Sequence, residues 1–307
     1  MTQQDTQSAQ ICQTHVYQEL PKLHSTYANV IKSLIPNHDD KASTLPSDIY
    51  TVEKLVIDQQ NLSDYRKICG FANDGRVPAT YFSVQAQILQ MNIMAKDNFP
   101  FAMLGLVHLH NQVVCYRPVY DTEIVSMTVR LDNLTPHKRG QQFDFIMEAK
   151  VSDEVVWQGV STYLSRQKKT KEEREKAKQE KQNMSMTAAA PIGQLIDTIE
   201  VDEDIGRRYA FVSGDFNLIH LHALSAKAFG FPRAIAHGMW SKARALSQFY
   251  DLPKSYQVTT DFYTPIFLPS RVRLFAKKEI NKIQFAIYAS DSDKLHMAGV
   301  IDFLTTN

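Results

Sequence analysis

The chain has 307 residues, about the length of two ordinary domains. Its 44% hydrophobic and 22% charged residues are typical of a globular protein and exclude a disordered or fibrous chain. The net charge of +1 gives no general attraction to nucleic acid, so we expect no nucleic-acid partner.

The three cysteines, Cys12, Cys69 and Cys115, are too few and too scattered for a disulfide framework. They favour a reducing compartment. The first residues contain no basic region followed by an apolar run, and no segment reaches the roughly 18 to 20 apolar residues that span a bilayer. We therefore expect a cytoplasmic protein without membrane insertion.

The first half of the chain reads as a helix followed by strands. The segment 65–94 has helical periodicity, with an apolar stripe at Ile88, Leu89, Met91 and Ile93. Between 104 and 165, β-branched and aromatic residues alternate with polar ones in three runs separated by turn signals. An antiparallel sheet with one buried face, covered by one central helix, is the predicted arrangement.

A charged block, RQKKTKEEREKAKQEKQ at 166–182, follows these strands and cannot bury an apolar face. Glutamates between the lysines weaken its positive field, which disfavours a nucleic-acid site. We predict a linker at 166–190 between an N-terminal unit at 1–165 and a C-terminal unit at 191–307.

The second half repeats the order of elements found in the first. A helix-period segment at 207–249 precedes strand-like runs at 255–277 and 283–305, and Tyr263-Thr-Pro occupies the place that Tyr116-Arg-Pro holds in the first half. The sequence therefore predicts an α+β protein built from two copies of one unit.

The two copies differ where chemistry is expected. With Tyr209 aligned to Tyr65, the matched positions are Gly214 with Gly70, Asn217 with Asn73, Asp215 with Phe71, and His220 with Arg76. A carboxylate and an imidazole therefore occur together only in the second copy. Because they are five residues apart, the chain must turn between them if both are to face one site.

These residues carry a resemblance to a known family. Tyr209-x-x-Val212-Ser213-Gly214-Asp215-x-Asn217-x-Ile219-His220, with the later Ala236-His237-Gly238-Met239, resembles the hydratase 2 motif of the MaoC-like (R)-specific enoyl-thioester hydratases and 3-hydroxyacyl dehydratases. The resemblance implies a double hot-dog fold, in which each repeat wraps an antiparallel sheet around a central helix. Leu218 departs from the motif, which has proline there.

The resemblance also implies a hydro-lyase of fatty-acid metabolism with its active site in the second repeat. Asp215 and His220 would hold one water and exchange its protons, Asn217 would support the turn, and the Gly238 amide would bind the thioester oxygen. The implied substrate is an acyl-CoA or an acyl carrier protein (ACP) thioester, with no cofactor and no metal. The degenerate first repeat would bind the acyl chain, and the chain would act as a monomer or homodimer.

Other interpretations remain open from the sequence. The same fold can carry an acyl thioesterase or a non-catalytic acyl-thioester-binding protein, and Asp215 alone is compatible with a helix N-cap. A metal set of His220, His222 and His237 is disfavoured because no cysteine or second carboxylate completes it. His108 and His110, at strand spacing and without a predicted acidic neighbour, are interpreted as structural.

Overall fold

The computed structural model describes residues 12–21, 44–103, 105–166 and 191–305. Arg166, the first residue of the linker predicted at 166–190, is instead the last residue of a strand, and the rest of that linker, 167–190, lies outside the described residues. No described helix is long and apolar enough to cross a membrane.

The described residues form six helices and eleven strands. The helices are α1 (Gln59–Cys69), α2 (Ala79–Met94), α3 (Ile205–Ser213), α4 (Leu218–Leu221), α5 (Ala223–Ala228) and α6 (Gly238–Leu246). The strands of the first half are β1 (Thr14–Tyr17), β2 (Ile49–Leu55), β3 (Val107–Cys115), β4 (Val125–His137), β5 (Gly140–Val151) and β6 (Glu154–Arg166). Those of the second half are β7 (Gln194–Val201), β8 (Tyr256–Phe262), β9 (Ser270–Lys278), β10 (Lys282–Ala289) and β11 (Leu295–Phe303).

All described strands belong to one sheet, in the order β1-β2-β4-β5-β6-β3-β8-β11-β10-β9-β7. Outward from the central β3–β8 pair, the strand order of one half mirrors that of the other, and every pair except β1–β2 is antiparallel. Four strands follow the main helix in each half rather than the predicted three, because turns around the two Tyr-x-Pro sequences break each first run into two strands. The predicted α+β class and the repeated order of elements are confirmed.

The buried face of the sheet is covered by the helices. In α2 the predicted stripe is largely correct, since Leu89, Met91 and Ile93 are buried while Ile88 is half-buried. Phe82 on α2 packs against Trp157 of β6, with ring centroids 5.7 Å apart. The helix thus buries apolar area against the strands that follow it, which is the main stabilising contribution in such a layer.

A buried lysine lies at the junction of the two halves. Lys242 of α6 is fully buried, and its Nζ donates to the Asn111 side-chain oxygen at 2.5 Å, to the Asn111 carbonyl at 3.2 Å and to the Val258 carbonyl at 3.4 Å. Asn111 is on β3 and Val258 on β8, so one ammonium group ties the helix to both central strands. Burial lowers the Lys242 pKa to about 7.

Backbone geometry relates the two halves residue by residue and corrects one predicted match. Helices α1 and α3 both end at a left-handed glycine, Gly70 with φ 84° and Gly214 with φ 72°. Each half then has an isolated β-bridge, Arg76 with Tyr120 in the first half and Ile235 with Phe267 in the second. Arg76 lies three residues before the start of α2, and Ile235 lies three residues before the start of α6.

Arg76 therefore corresponds to Ile235, and its predicted match to His220 is wrong. The second half has additional chain between its glycine cap and its bridge, and α4 and α5 form there. His220 is on α4, which has no counterpart among the described residues of the first half. The imidazole is thus part of an insertion, while the scaffold on either side of it is shared.

Candidate active site

A series of local hydrogen bonds forms the turn between Asp215 and His220. After the left-handed Gly214, the Asp215 amide donates to Ser213 Oγ at 3.2 Å, and the Asn217 amide donates to the Asp215 carboxylate at 3.2 Å. Asn217 then caps α4, its side-chain oxygen accepting from the Ile219 amide at 3.4 Å. The chain therefore reverses between α3 and α4, as the spacing of Asp215 and His220 required.

Leu218, which replaces the motif proline, is the first residue of α4. Proline is favoured at this position because its missing N–H would have no partner within the helix and its φ suits a helix start. Leucine can adopt the same backbone there. The substitution therefore removes some rigidity from the turn and leaves the reacting groups in place.

The turn and the start of α6 bring three titratable groups together. One carboxylate oxygen of Asp215 and one ring nitrogen each of His220 and His237 all lie within 4.8 Å of one another. The two imidazoles are stacked, with centroids 3.6 Å apart, and both are buried, whereas the Asp215 side chain is 32% exposed. A partly exposed carboxylate and two buried imidazoles thus lie next to one another at the cavity.

The tautomer of His220 follows from its backbone partner. His220 Nδ1 is 2.8 Å from the Ile235 carbonyl, which can only accept, so Nδ1 carries the proton. Burial lowers the His220 pKa, although Asp215 and the Ile235 hydrogen bond act in the opposite direction. A neutral ring protonated at Nδ1 leaves a lone pair on Nε2, which makes His220 a proton acceptor.

His237 connects the Asp215 turn to α6. Its Nε2 donates to the Asp215 main-chain carbonyl at 2.9 Å and lies 3.9 Å from the Asp215 carboxylate. Burial, followed by His220, lowers the His237 pKa to about 3, so this ring is neutral at pH 7. The sequence analysis assigned His237 no role except in the disfavoured metal set. The only feature of the sequence that pointed to it was its position in the motif, directly before Gly238.

Gly238 begins α6, where the first amide groups have no partner within the helix. It lines the same cavity as Asp215 and His220. A Cβ at this position would come within 3.0 to 3.4 Å of the Phe262 ring, so glycine allows the backbone to approach closely. The helix dipole adds a positive partial charge at this end, which suits a developing oxyanion.

The cavity that these groups line has a volume of about 310 Å³ and is built from both halves. Asp215, Asn217, His220 and Gly238 all line it, as do His237 and Met239 from the second half. The first half contributes Gln87, Leu106, His108, Leu109, Arg139, Tyr163 and Arg166. All four predicted site residues therefore meet at one cavity.

His108 and His110 differ from each other more than their spacing suggested. A register shift falls between them, and His108 lines the cavity, where its ring stacks on Tyr163 at 4.6 Å. Its buried Nε2 has no partner among the described residues, and burial lowers its pKa to about 3. His110 Nδ1 lies 2.7 Å from the Asp261 carboxylate, so the expected lack of an acidic neighbour is wrong: β8 of the other half supplies one.

The geometry of the cluster disfavours a metal ion shared by His220 and His237. A metal about 2.0 Å from an imidazole nitrogen lies near the plane of that ring, but these two rings are stacked 3.6 Å apart at an interplanar angle of 27°. One ion cannot lie near both ring planes. His222 is exposed, precedes α5 and is not a member of the cluster.

Comparison with known proteins agrees with this architecture. The family model described as "MaoC like domain" matches residues 167–297. The chain belongs to the MaoC-like dehydratase family, and its fold is the double hot-dog that the motif implied.

Two comparisons are with proteins of Mycobacterium tuberculosis. The 3-hydroxyacyl-thioester dehydratase X of Mycobacterium tuberculosis (strain ATCC 25618 / H37Rv) is 32% identical over 236 residues, which are 76% of this chain and 82% of that protein. A crystal structure of HtdX from Mycobacterium tuberculosis has a TM-score of 0.72 at 28% identity, covering 83% of this chain and 100% of that one.

A more distant structure shares the fold. The MaoC-like dehydratase from Phytophthora capsici has a TM-score of 0.63 at 16% identity, with 84% of this chain and 94% of that chain covered. At this identity the likeness supports the fold alone.

Proposed function

We propose that this chain is a hydro-lyase that catalyses the reversible (R)-specific hydration of 2-enoyl thioesters and dehydration of 3-hydroxyacyl thioesters in fatty-acid metabolism. The observation that carries the proposal is the meeting of Asp215, His220 and the Gly238 amide at one cavity. Family membership and the similarity to a mycobacterial 3-hydroxyacyl-thioester dehydratase support the same reaction class.

Asp215 and His220 are the proposed acid/base pair. In hydration, water oxygen bonds to Cβ, one proton leaves the water, and Cα gains one proton. The free Nε2 lone pair of neutral His220 is suited to accept the proton that leaves the water, and the Asp215 carboxylate holds that water from the other side. Positioned acid/base groups of this kind contribute roughly 10²–10⁴-fold to a rate.

The Gly238 amide is the proposed oxyanion donor. As Cβ is attacked, negative charge moves to the thioester oxygen, and an unpaired N–H at a helix start is preorganised to receive it. His237 is proposed as a positioning residue, because its bond to the Asp215 carbonyl fixes the carboxylate relative to that amide. Asn217 supports the turn by capping α4.

The first unit, 1–165, is proposed to bind the acyl part of the substrate, and the second, 191–307, to carry the chemistry. The apolar side chains Leu106, Val107 and Leu109 line the cavity from the first unit. In its support, β3 and β8 join the two units in one sheet, and described residues of both units line the cavity within a single chain. We therefore propose the single chain as the catalytic unit.

The test is loss of enoyl-thioester absorbance on adding the protein to crotonyl-coenzyme A and longer enoyl-coenzyme A. Asp215→Asn and His220→Ala are expected to abolish turnover, whereas the matched exposed controls Asp251→Asn and His222→Ala keep it. The product should be the (R)-3-hydroxyacyl thioester. Release of free thiol would identify a thioesterase instead, and full activity of both site variants would refute the proposed roles.

A further inference from the structure

Two arginines of the first half line the cavity that holds the candidate site. Arg139 lies in the turn between β4 and β5, and Arg166 is the last residue of β6. Gly140 and Arg166 are directly paired across the sheet, so the two arginines come from neighbouring positions. Both side chains are exposed, which places them at the outer part of the cavity rather than beside the buried histidines.

Neither arginine has an acidic partner among the described residues. Arg66, Arg117 and Arg244, in contrast, each form an ion pair with a carboxylate. Partial burial of the Arg166 guanidinium, followed by the positive charge of Arg139, lowers the Arg166 pKa. Two adjacent guanidinium groups that have no counter-ion among the described residues repel each other, and a bound anion would relieve that repulsion.

The rest of the turn strengthens the positive field. Lys138 is exposed next to Arg139, and the pKa of His137 is lowered by burial and by both neighbouring cations. No described carboxylate lines this cavity except that of Asp215, which belongs to the site. The cavity therefore combines one carboxylate, that of Asp215, with the two exposed guanidinium groups of Arg139 and Arg166.

We propose that Arg139 and Arg166 form a binding subsite for a phosphate group of the thioester carrier. This inference rests on the proposed function, because an acyl thioester that reaches Gly238 extends its carrier arm out of the cavity. Both coenzyme A and the prosthetic arm of an acyl carrier protein bear phosphate beyond the pantetheine unit. A planar guanidinium fork matches phosphate oxygens in a way that a single ammonium does not.

The experiment compares substrates with and without phosphate. For crotonyl-coenzyme A, Arg139→Ala and Arg166→Ala are each expected to raise KM about tenfold, the range of one charge-assisted hydrogen bond, with kcat nearly unchanged. For crotonyl-N-acetylcysteamine, which has no phosphate, kcat/KM should be unaffected. Lys54→Ala, an exposed cation outside the cavity, is the matched control for loss of one charge.

A third substrate, crotonyl-phosphopantetheine, distinguishes the two carriers. A rise in its KM in the arginine variants would assign the subsite to the phosphate that both carriers share. A rise confined to crotonyl-coenzyme A would assign it to the phosphates of the adenosine end, and hence to coenzyme A. Unchanged KM for every phosphate-bearing substrate in the Arg139→Ala/Arg166→Ala double variant would overturn the subsite.

Binding of coenzyme A measured by titration calorimetry separates this inference from the proposed reaction. If the wild-type protein turns over no thioester, the proposed function fails. Weaker coenzyme A binding in the double variant than in Lys54→Ala would still support the subsite, and equal binding would refute it. Added salt should weaken wild-type binding more than binding to the double variant, because salt screens exposed charges.

Discussion

Replacing Gly206 by alanine should disable the site without changing any side chain that lines it. Gly206 is in the first turn of α3, and a Cβ there would lie 2.0 Å from the His220 carbonyl oxygen and 3.0 Å from its carbonyl carbon. Since real Cβ atoms keep at least 3.0 Å from such atoms, α3 and the His220 backbone must separate by about 1 Å. A misplacement of about 1 Å can reduce a rate by roughly 10²-fold.

The Gly206→Ala variant is measured by kcat on an enoyl thioester and by its thermal unfolding midpoint. Alanine is favoured over glycine in helices, by up to about 1 kcal/mol in an interior, so without the close approach to His220 the variant should be at least as stable as the wild type and fully active. We expect instead a fall in kcat of about 10²-fold. Arg208→Ala, at an exposed position of the same helix, is the control. Wild-type kcat together with a raised midpoint would contradict the predicted clash between the Cβ and the His220 carbonyl.

Three further predictions concern buried groups. His237→Ala should lower kcat by about tenfold or more while His237→Gln, which can still donate to the Asp215 carbonyl, keeps more activity; equal loss in both would exclude positioning through this bond. Lys242 has its pKa lowered to about 7 in the folded state but not in the unfolded state, so the free energy of unfolding should rise from pH 7 towards pH 10. Urea titrations should show that rise weakened in Lys242→Met, and an identical pH dependence would contradict the assignment. His108→Phe should keep the stacking on Tyr163, remove the unpartnered Nε2 and lose a hydrogen bond to the His110 backbone, so its thermal midpoint should stay near that of the wild type; a large fall would contradict this balance.

Local signals in the sequence predicted much of the fold and the position of the site. The strands alternate in polarity because one face of the sheet is buried, and Gly70 and Gly214 marked equivalent helix ends because both are left-handed caps. Asp215, Asn217, His220 and Gly238 were found from motif spacing, and all four line one cavity. Their catalytic and supporting roles stay predictions until the variants are measured.

Contacts between distant segments could not be predicted in the same way. The match of His220 to Arg76 assumed that no residues had been inserted, and only the two bridges show where α4 and α5 enter. Lys242 has the residue type of a solvated helix face, yet its partners come from β3 and β8. The strand spacing of His108 and His110 could not reveal the register shift that lies between them.

The pairing of β3 with β8 gives the first half a structural role in addition to the proposed binding of the acyl chain. If the halves were separated, each would present a central strand with unpaired amide and carbonyl groups, which is a surface that recruits other strands. Fragments cut between the halves should therefore aggregate when made alone and reassemble when made together. The first repeat, which has no counterpart of Asp215 and His220, thus covers the β8 edge of the second repeat, and losing it should lower the solubility of the second repeat.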